Sequence, residues 1–449
     1  MDSCTNRLGR SNHVNSSDRD RIPDLQLRER QQNNAKNDRI QVAHRHPSNT
    51  ERKTIIGFLT CIFMYLYFVS ASIRKIEVGA NIINTKSSPT AVKVTATQQS
   101  KMNVRPQLAK LRPVDYEQYT IRMNTWRRPK QLIQSVKHHA SCPGVKEIQI
   151  IWCDKENEPP DELVEMIEKE YTIPSSLTDT KVIIERHEVN SLNERFNIIE
   201  PTPTLGILSI DDDVLRPCEA IDSGFFKWIK SPHRMVGFDA RTHVENEDGS
   251  WQYGYLSATK KDNTYSLSLT RYCFIHRDYM NRYMRDLPTT ILDTIATKFN
   301  CEDIAMSLMI SSFTQGSPPL LADFWAMNSQ LKLKVDKGIS GSGTHKEFRD
   351  SCLNSFATLF GMKDKENNNR LQKAQWIHPS KTRMFACGSE ADDYENLSYE
   401  KSNREIELEQ KWELLRRSGD QRYLQKYLIK LAYEAGEEAR ANGLLSTKK

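Results

Sequence analysis

The stretch Leu205-Gly206-Ile207-Leu208-Ser209-Ile210-Asp211-Asp212-Asp213-Val214 decides the reading of this chain. Its first six residues are nearly continuous in apolar character, as expected of a strand buried on both faces of a parallel sheet. Three carboxylates follow directly. In an open α/β sheet, ligands bind beyond the carboxyl ends of the strands. Three like charges placed there repel one another unless a cation joins them. Oxygen ligands select a hard divalent ion such as Mg²⁺ or Mn²⁺. Such an ion can bridge to a diphosphate and neutralise the charge that develops as a nucleotide departs. The bland alternative is an acidic surface turn.

Upstream of this stretch, residues 119–123, 147–152 and 182–185 read as three further strands. Pro129 suits a first helical position, and an amphipathic run follows it to His139. Strands that alternate with helices predict an α/β fold with a mostly parallel sheet. Residues 115–385 form one expected domain.

The whole chain has 449 residues, of which 38% are hydrophobic and 27% charged, with a formal net charge of +6. So small a balance argues against a dedicated nucleic-acid binder. Nine cysteines are too few for a disulfide scaffold and too scattered for a zinc ribbon. The apolar deficit reflects polar additions around one ordinary core. Residues 1–53 hold 11 Lys/Arg against 7 Asp/Glu and have almost no aromatic residues, which predicts a disordered tail. Between Lys53 and Arg74, residues 55–73 form a run of 19 without a charge. That is close to the length needed to cross a bilayer, and it starts too far from Met1 for a standard cleaved signal peptide. Residues 54–73 are therefore the expected transmembrane signal anchor and residues 74–114 a polar stem. With one span, everything after Arg74 lies on one side, and a cytoplasmic tail makes the domain lumenal. Residues 386–449 are highly charged. Leu408, Trp412, Leu415, Tyr423, Tyr427 and Leu431 at helical spacing predict two helices there, interrupted at Ser418-Gly419-Asp420 and stopped near Gly443. Asn396-Leu397-Ser398 is a sequon on the lumenal side, and Asn15-Ser16-Ser17 is one on the cytoplasmic side.

Two later segments carry chemistry. Asn300-Cys301-Glu302-Asp303-Ile304-Ala305-Met306 reads as a helix start with acids in its first turn, where the helix dipole favours them. His345, Arg349, Cys352 and Asn354 follow at helical spacing, and a basic residue there is either a surface charge or a phosphate contact. Asp211, any residue, Asp213, Val214 after a strand also resembles the nucleophile motif of haloacid-dehalogenase-like phosphatases. Glu302-Asp303 then imitates the later acidic pair of that family.

Taken in order, the motifs resemble the glycosyltransferase family 64 domain of exostosin-like enzymes and of short plant members that glycosylate inositol phosphorylceramides. They are Met123 to Arg128, Ile150-Ile151-Trp152, Asn190 to Arg195, Asp211 to Asp213, Tyr253-Gly254, Asn300 to Met306, and Arg349 to Asn354. The resemblance covers about 240 residues. It implies a GT-A type nucleotide-diphospho-sugar transferase fold, a nucleotide-sugar donor, Mn²⁺ and retention of anomeric configuration. Carried over by position, Arg128, Asn190 and Arg195 contact the nucleotide and diphosphate. Asp211 and Asp212 contact the donor, and Asp213 is the direct metal ligand. Asp303 is the acid beside the reacting sugar, and Arg349 acts at the diphosphate and sugar. Cys301 and Cys352 match a disulfide pair. The chain departs from the family at Cys153-Asp154, where Asn is frequent, and at Thr270-Arg271-Tyr272-Cys273, where animal members have small residues.

The resulting expectation is a membrane-anchored, Mn-dependent retaining glycosyltransferase, single-pass type II in the Golgi or endoplasmic reticulum, with its catalytic domain lumenal. It moves N-acetylhexosamine from a UDP-sugar, or mannose from GDP-mannose, to a glycan or glycolipid acceptor. Its oligomeric state is open. A non-catalytic glycan-binding protein on the same fold and a phosphatase using Asp211 are the alternatives.

Overall fold

Seven strands form the central sheet of the computed structural model, which describes residues 117–171, 179–335, 345–364, 369–376, 401–417 and 421–445. The first half runs β1 (Tyr119–Thr125), α1 (Pro129–Ala140), β2 (Val145–Trp152), α2 (Asp161–Glu170), β3 (Lys181–Arg186), a 3-10 turn (Leu192–Phe196), β4 (Gly206–Asp211), β5 (Val214–Leu215) and α3 (Cys218–Ile229). The four strands and the first helix expected from sequence match β1–β4 and α1 to within about two residues at each end. Pro129 occupies the first helical position. Leu132 and Val136 of α1 join Ile148 and Ile150 of β2 in one apolar core.

The second half runs β6 (Val236–Gly237), β7 (Ala240–Glu245), β8 (Trp251–Gly254), α4 (Leu256–Asp262), β9 (Thr264–Tyr265), β10 (Leu267–Ser268), β11 (Tyr272–His276), α5 (Arg277–Asp286), α6 (Thr289–Lys298) and α7 (Glu302–Phe313). After these come β12 (Leu320–Leu321), α8 (Phe324–Asn328), β13 (Leu331–Lys332), α9 (His345–Leu359) and β14 (Ala374–Gln375). A second apolar core packs Tyr279, Tyr283, Ile304, Leu308, Leu353 and Phe356 around α5, α7 and α9.

The main sheet has the order β12-β6-β11-β4-β1-β2-β3. β1 pairs in parallel with β2 and β4, and β2 pairs in parallel with β3. β11 is antiparallel to both β4 and β6, so the sheet is mixed rather than mostly parallel throughout. The reason lies in the connection. The chain reaches β11 through the small antiparallel sheet β10-β7-β8 and not through one crossover helix, so its direction is not fixed by a βαβ unit.

This order places the site. From β1 the chain moves outward to β2 and β3, then returns past β1 to β4 on its other side. The carboxyl ends of β1 and β4 therefore flank a topological switch point, where an open α/β sheet leaves a ligand crevice. Arg127 and Arg128 follow β1, and Asp211, Asp212 and Asp213 close β4.

The charged end of the chain folds as α10 (Asn403–Arg417), α11 (Gln421–Ala435) and α12 (Glu437–Ala441), with Gly443 at φ +67° just beyond. Residues 418–420, the expected interruption, lie outside the described residues. α10 packs on the domain: Trp412 meets Trp325 with ring centroids 4.3 Å apart, and Arg404 pairs with Asp222 at 3.1 Å. The tail, the anchor run, the stem and both sequons also lie outside the described residues. Among the described residues no helix is long and apolar enough to cross a membrane.

Candidate active site

The acidic turn is held by cations from two directions. Arg195 Nη2 lies 2.9 Å from Asp211 Oδ1. Arg128 reaches Asp212 Oδ1 with Nη2 at 2.7 Å and Asp213 Oδ2 with Nη1 at 3.1 Å. Thr125 Oγ1 donates to Asp212 Oδ2 at 2.6 Å. The three carboxylates differ in access. The side chain of Asp212 is 0% exposed, while those of Asp211 and Asp213 are 24% and 25% exposed. Burial pushes Asp212 up to about 7 even though Arg128 and Thr125 act against it. Asp213 is also raised, by burial first and then by the charge of Asp211. Asp212 is thus the enclosed acid of the three, and Asp213 is a partly open acid whose ionised form is disfavoured. The backbone of the turn is fixed as well, since Leu333 N donates to Asp213 O at 2.8 Å.

Arg127 has φ 51°, a conformation disfavoured for a side-chain-bearing residue, and Arg128 beside it turns back onto the acids. The side chain of Arg127 leaves the site and pairs with Asp154 at 2.8 Å. The charged residue at the Cys153-Asp154 departure is therefore already partnered.

A second cluster forms where α7 begins. Asp303 is buried in the first turn of that helix. One of its oxygens, Oδ2, receives a hydrogen bond from Arg349 Nη2, and Arg349 Nη1 donates to Asn300 Oδ1 at 2.8 Å. Arg349 also stacks over Tyr253 with its guanidinium 4.1 Å from the ring centroid. Burial disfavours the Arg349 charge, but Asp303 and Tyr253 outweigh it and raise its pKa. Two residues with positive φ, Phe299 at 47° and Cys301 at 78°, flank Asn300. Backbone in this region costs energy and persists where the surroundings over-determine it. Here the surroundings include the Cys301–Cys352 disulfide, which joins the start of α7 to α9 as the sequence resemblance implied. α9 is further keyed to β8 by Asp350 Oδ1, which accepts from Tyr253 N at 2.6 Å, and by Asn354 Oδ1, which accepts from Trp251 N at 2.8 Å.

Arg195 joins the two clusters. Its side chain is buried; Nη2 holds Asp211, and Nε lies 3.9 Å from Glu302 Oε1. Nε and Nη1 have no hydrogen-bond partner among the described residues, and neither does Asp303 Oδ1. Unpaired buried donors and acceptors are costly, and a water, an ion or a bound ligand can satisfy them. Burial and the adjacent Asp303 hold Glu302 well above the usual carboxylate range.

Of the residues singled out from sequence, Arg128, Arg195, Asp211, Asp212 and Asp213 come together in one cluster, and Arg195 links them to the segment of Asp303 and Arg349. Asn190 stands apart as an exposed residue before the 3-10 turn. Sequence reasoning missed the roles of Glu302, Tyr253 and the Asp239–Arg271 pair, in which Arg271 Nη2 lies 2.8 Å from Asp239 Oδ1. Tyr253 was inside a quoted motif, but nothing local connects it to Arg349. A second disulfide, Cys142–Cys218, was also not anticipated. With His138 those two cysteines bring three ligand-type atoms together, but both sulfurs are spent on the disulfide.

The family model described as Glycosyl transferase family 64 domain matches residues 119–376. The chain belongs to glycosyl transferase family 64. It is a glycosyltransferase, and the phosphatase reading of Asp211 gives way to that assignment. Among relatives of this family 64 chain, the glycosylinositol phosphorylceramide mannosyl transferase 1 of Arabidopsis thaliana is 34% identical over 250 residues, which are 54% of this chain and 72% of the relative. Glucosamine inositolphosphorylceramide transferase 1 of the same plant is 30% identical over 232 residues, 50% of this chain and 28% of the relative. Exostosin-2 of Mus musculus is 26% identical over 258 residues, 57% of this chain and 34% of the relative. The chain therefore spans under two thirds of the last two. The two plant relatives are named for transfer of mannose and of glucosamine to inositol phosphorylceramides.

Proposed function

We propose that this family 64 enzyme is a membrane-anchored, Mn²⁺-dependent, retaining glycosyltransferase of GT-A type that transfers mannose from GDP-mannose to an inositol phosphorylceramide glycolipid. The observation that carries the reading is Arg195, which spans the acidic turn and the start of α7 while Nε and Nη1 make no hydrogen bond among the described residues. The mannose assignment rests on the relative that is matched over most of its length. N-acetylglucosamine from its UDP-sugar is the second reading, favoured by the glucosamine-transferring relative. The uncharged run of residues 55–73 supports a single-span anchor with the domain in the Golgi lumen, where the two disulfides persist.

The donor set at the acidic turn fits a hard divalent ion. Asp213 is one partly open carboxylate destabilised by its neighbour. Mg²⁺-like sites commonly take one or two carboxylates and fill their remaining positions with water and substrate phosphate. Asp213 is the residue that would hold Mn²⁺, with Asp211 beside it, and when bound the ion supplies neutralisation of the diphosphate charge. The protein's own groups do the rest. Arg195 and Arg349 stabilise negative charge on the departing diphosphate, and their fixed positions spare the cost of reorganisation. Asp303 keeps Oδ1 unpartnered while Oδ2 is tied to Arg349, so the free oxygen is available to stabilise positive charge at the anomeric carbon. Asp212 and Thr125 orient Arg128 at the end of β1.

The testing experiment is a donor screen on purified full-length enzyme with and without Mn²⁺, using GDP-mannose, UDP-N-acetylglucosamine, UDP-N-acetylgalactosamine and UDP-glucuronic acid. Mn²⁺-dependent release of GDP from GDP-mannose supports the reading. Turnover of another donor alone removes the mannose assignment.

A further inference from the structure

The 3-10 turn that carries Arg195 is held by buried charges that do not themselves reach the acidic turn. Arg122, on β1, is fully buried. It grips Glu185 of β3 with Nη2 at 2.7 Å and Nη1 at 2.9 Å. The same guanidinium donates to backbone carbonyls of the turn, from Nε to Arg195 O at 3.2 Å and from Nη2 to Asn197 O at 2.6 Å. His187 then bridges two carboxylates. Its Nε2 lies 2.7 Å from Glu185 Oε1 and its Nδ1 lies 2.6 Å from Glu194 Oε2. Glu194 directly precedes Arg195, and its Oε2 also accepts from Asn197 Nδ2 at 2.8 Å.

Both partners of the His187 ring accept hydrogen bonds. A neutral imidazole offers one donor and one acceptor, so it satisfies only one of two carboxylates, whereas the cation donates to both. The charge balance agrees. Arg122 and protonated His187 offset Glu185 and Glu194, but neutral His187 leaves an excess negative charge in a buried place, which is expensive.

We propose that Arg122, Glu185, His187 and Glu194 form a positioning network that fixes the backbone of Arg195, and so its two unpartnered nitrogens, for the donor diphosphate, and that the network is complete only while His187 carries its proton. The proposal rests on the reading of Arg195 as a donor ligand. The groups facing His187 are Glu185 from β3 and Glu194 from the turn, with Arg122 behind Glu185 and the Cys153 thiol beside Glu194. Burial pushes that thiol up to about 12, so it stays neutral. Burial also opposes the charged ring of His187, but the hydrogen bonds to Glu185 and Glu194 outweigh it and raise the pKa. As pH rises through the raised value, one carboxylate loses its imidazole donor, leaving Glu185 to Arg122 or Glu194 to Asn197, and the Glu194–Arg195 backbone loosens. Donor binding and stabilisation of the departing diphosphate then weaken together, while Asp303 and Arg349 keep their places.

The test uses the full-length enzyme with Mn²⁺ and measures binding and turnover of GDP-mannose and UDP-N-acetylglucosamine from about pH 6 upward, until the wild-type profile levels off. His187→Gln mimics the neutral ring at every pH. The expected result is donor affinity about tenfold weaker than wild type at the acid end, converging with wild type once the wild-type ring is neutral, with kcat/KM falling in step. Glu194→Gln, which leaves the Arg122–Glu185 pair intact, repeats the measurement if His187→Gln folds poorly. Wild-type affinity with wild-type pH dependence in both variants overturns the network. Arg195→Ala separates the two levels of the argument. If it leaves donor binding unchanged, the reading of Arg195 itself is wrong and the network has nothing to position. If it weakens binding while His187→Gln and Glu194→Gln do not, only the network is wrong.

Discussion

The two clusters that meet at Arg195 are built in opposite ways. The acidic turn is local: Asp211, Asp212 and Asp213 are consecutive, they close one strand, and two of the three keep about a quarter of their side chains exposed. The Asp303 cluster is assembled from distant segments that bring Tyr253, Asn300, Asp303 and Arg349 together in the interior, braced by a disulfide that also holds two positive-φ residues in place. A partly open carboxylate at a sheet edge can exchange water and ligands around an ion. A buried, cross-braced carboxylate holds charge in a fixed place with water excluded, where electrostatic stabilisation is strongest. Under the proposed function, binding falls to the first cluster and chemistry to the second.

The sharpest way to break that division is Asp303→Asn. Transfer should fall by about a thousandfold, while Mn²⁺-dependent donor binding, measured by calorimetry, should stay near wild type. Lost binding with this variant would mean that the division is wrong. Asp213→Ala is the converse. Donor affinity in Mn²⁺ should fall by about 10- to 100-fold, to the level that wild type shows in a chelator. Tight binding that still depends on the metal would remove Asp213 as the ligand.

The same contrast explains what was legible in the sequence. Strands β1 to β4, helix α1 and the acidic turn are short-range patterns, so apolar runs, Pro129 and three adjacent acids sufficed. The pairing of Asp303 with Arg349 joins groups on two separate helices and has no local signal; the family resemblance implied only a role for each and the Cys301–Cys352 link between their segments. The antiparallel β11 and the ion pair Asp239–Arg271 were not seen, because strand direction and charge partners depend on how the chain returns. Arg122 and Glu185 lie inside strands, where the apolar reading passes over a charged residue instead of seeking its partner. Cys142 and Cys218 gave no local sign of being joined.

Two smaller effects sharpen the comparison. Cys352→Ala removes the brace of the second cluster and should cost about 2–4 kcal/mol in chemical denaturation, with a larger loss of transfer than of donor binding. Cys142→Ala breaks a disulfide at the other core and should lower stability by a similar amount while leaving kcat near wild type. Equal catalytic losses in the two variants would argue that the brace is general rather than local to Asp303. The smallest effect concerns His187. Its folded pKa is raised above the unfolded value of about 6.5, so its stabilisation is fully present below about pH 6.5 and is lost as pH rises through the folded pKa. The stability of wild type, followed by denaturant midpoint, should therefore fall with rising pH in that window, and His187→Gln should flatten the slope.

The most direct test of the central claim is the anomeric configuration of the product. Full-length enzyme in detergent is given GDP-mannose, Mn²⁺ and an inositol phosphorylceramide glycolipid, and the new linkage is read by nuclear magnetic resonance, alongside a chelator control and the Asp303→Asn variant. The account predicts a mannosyl linkage with the donor's configuration retained, absent in the chelator and nearly absent in the variant. An inverted linkage, or full transfer in the chelator or by Asp303→Asn, would contradict it.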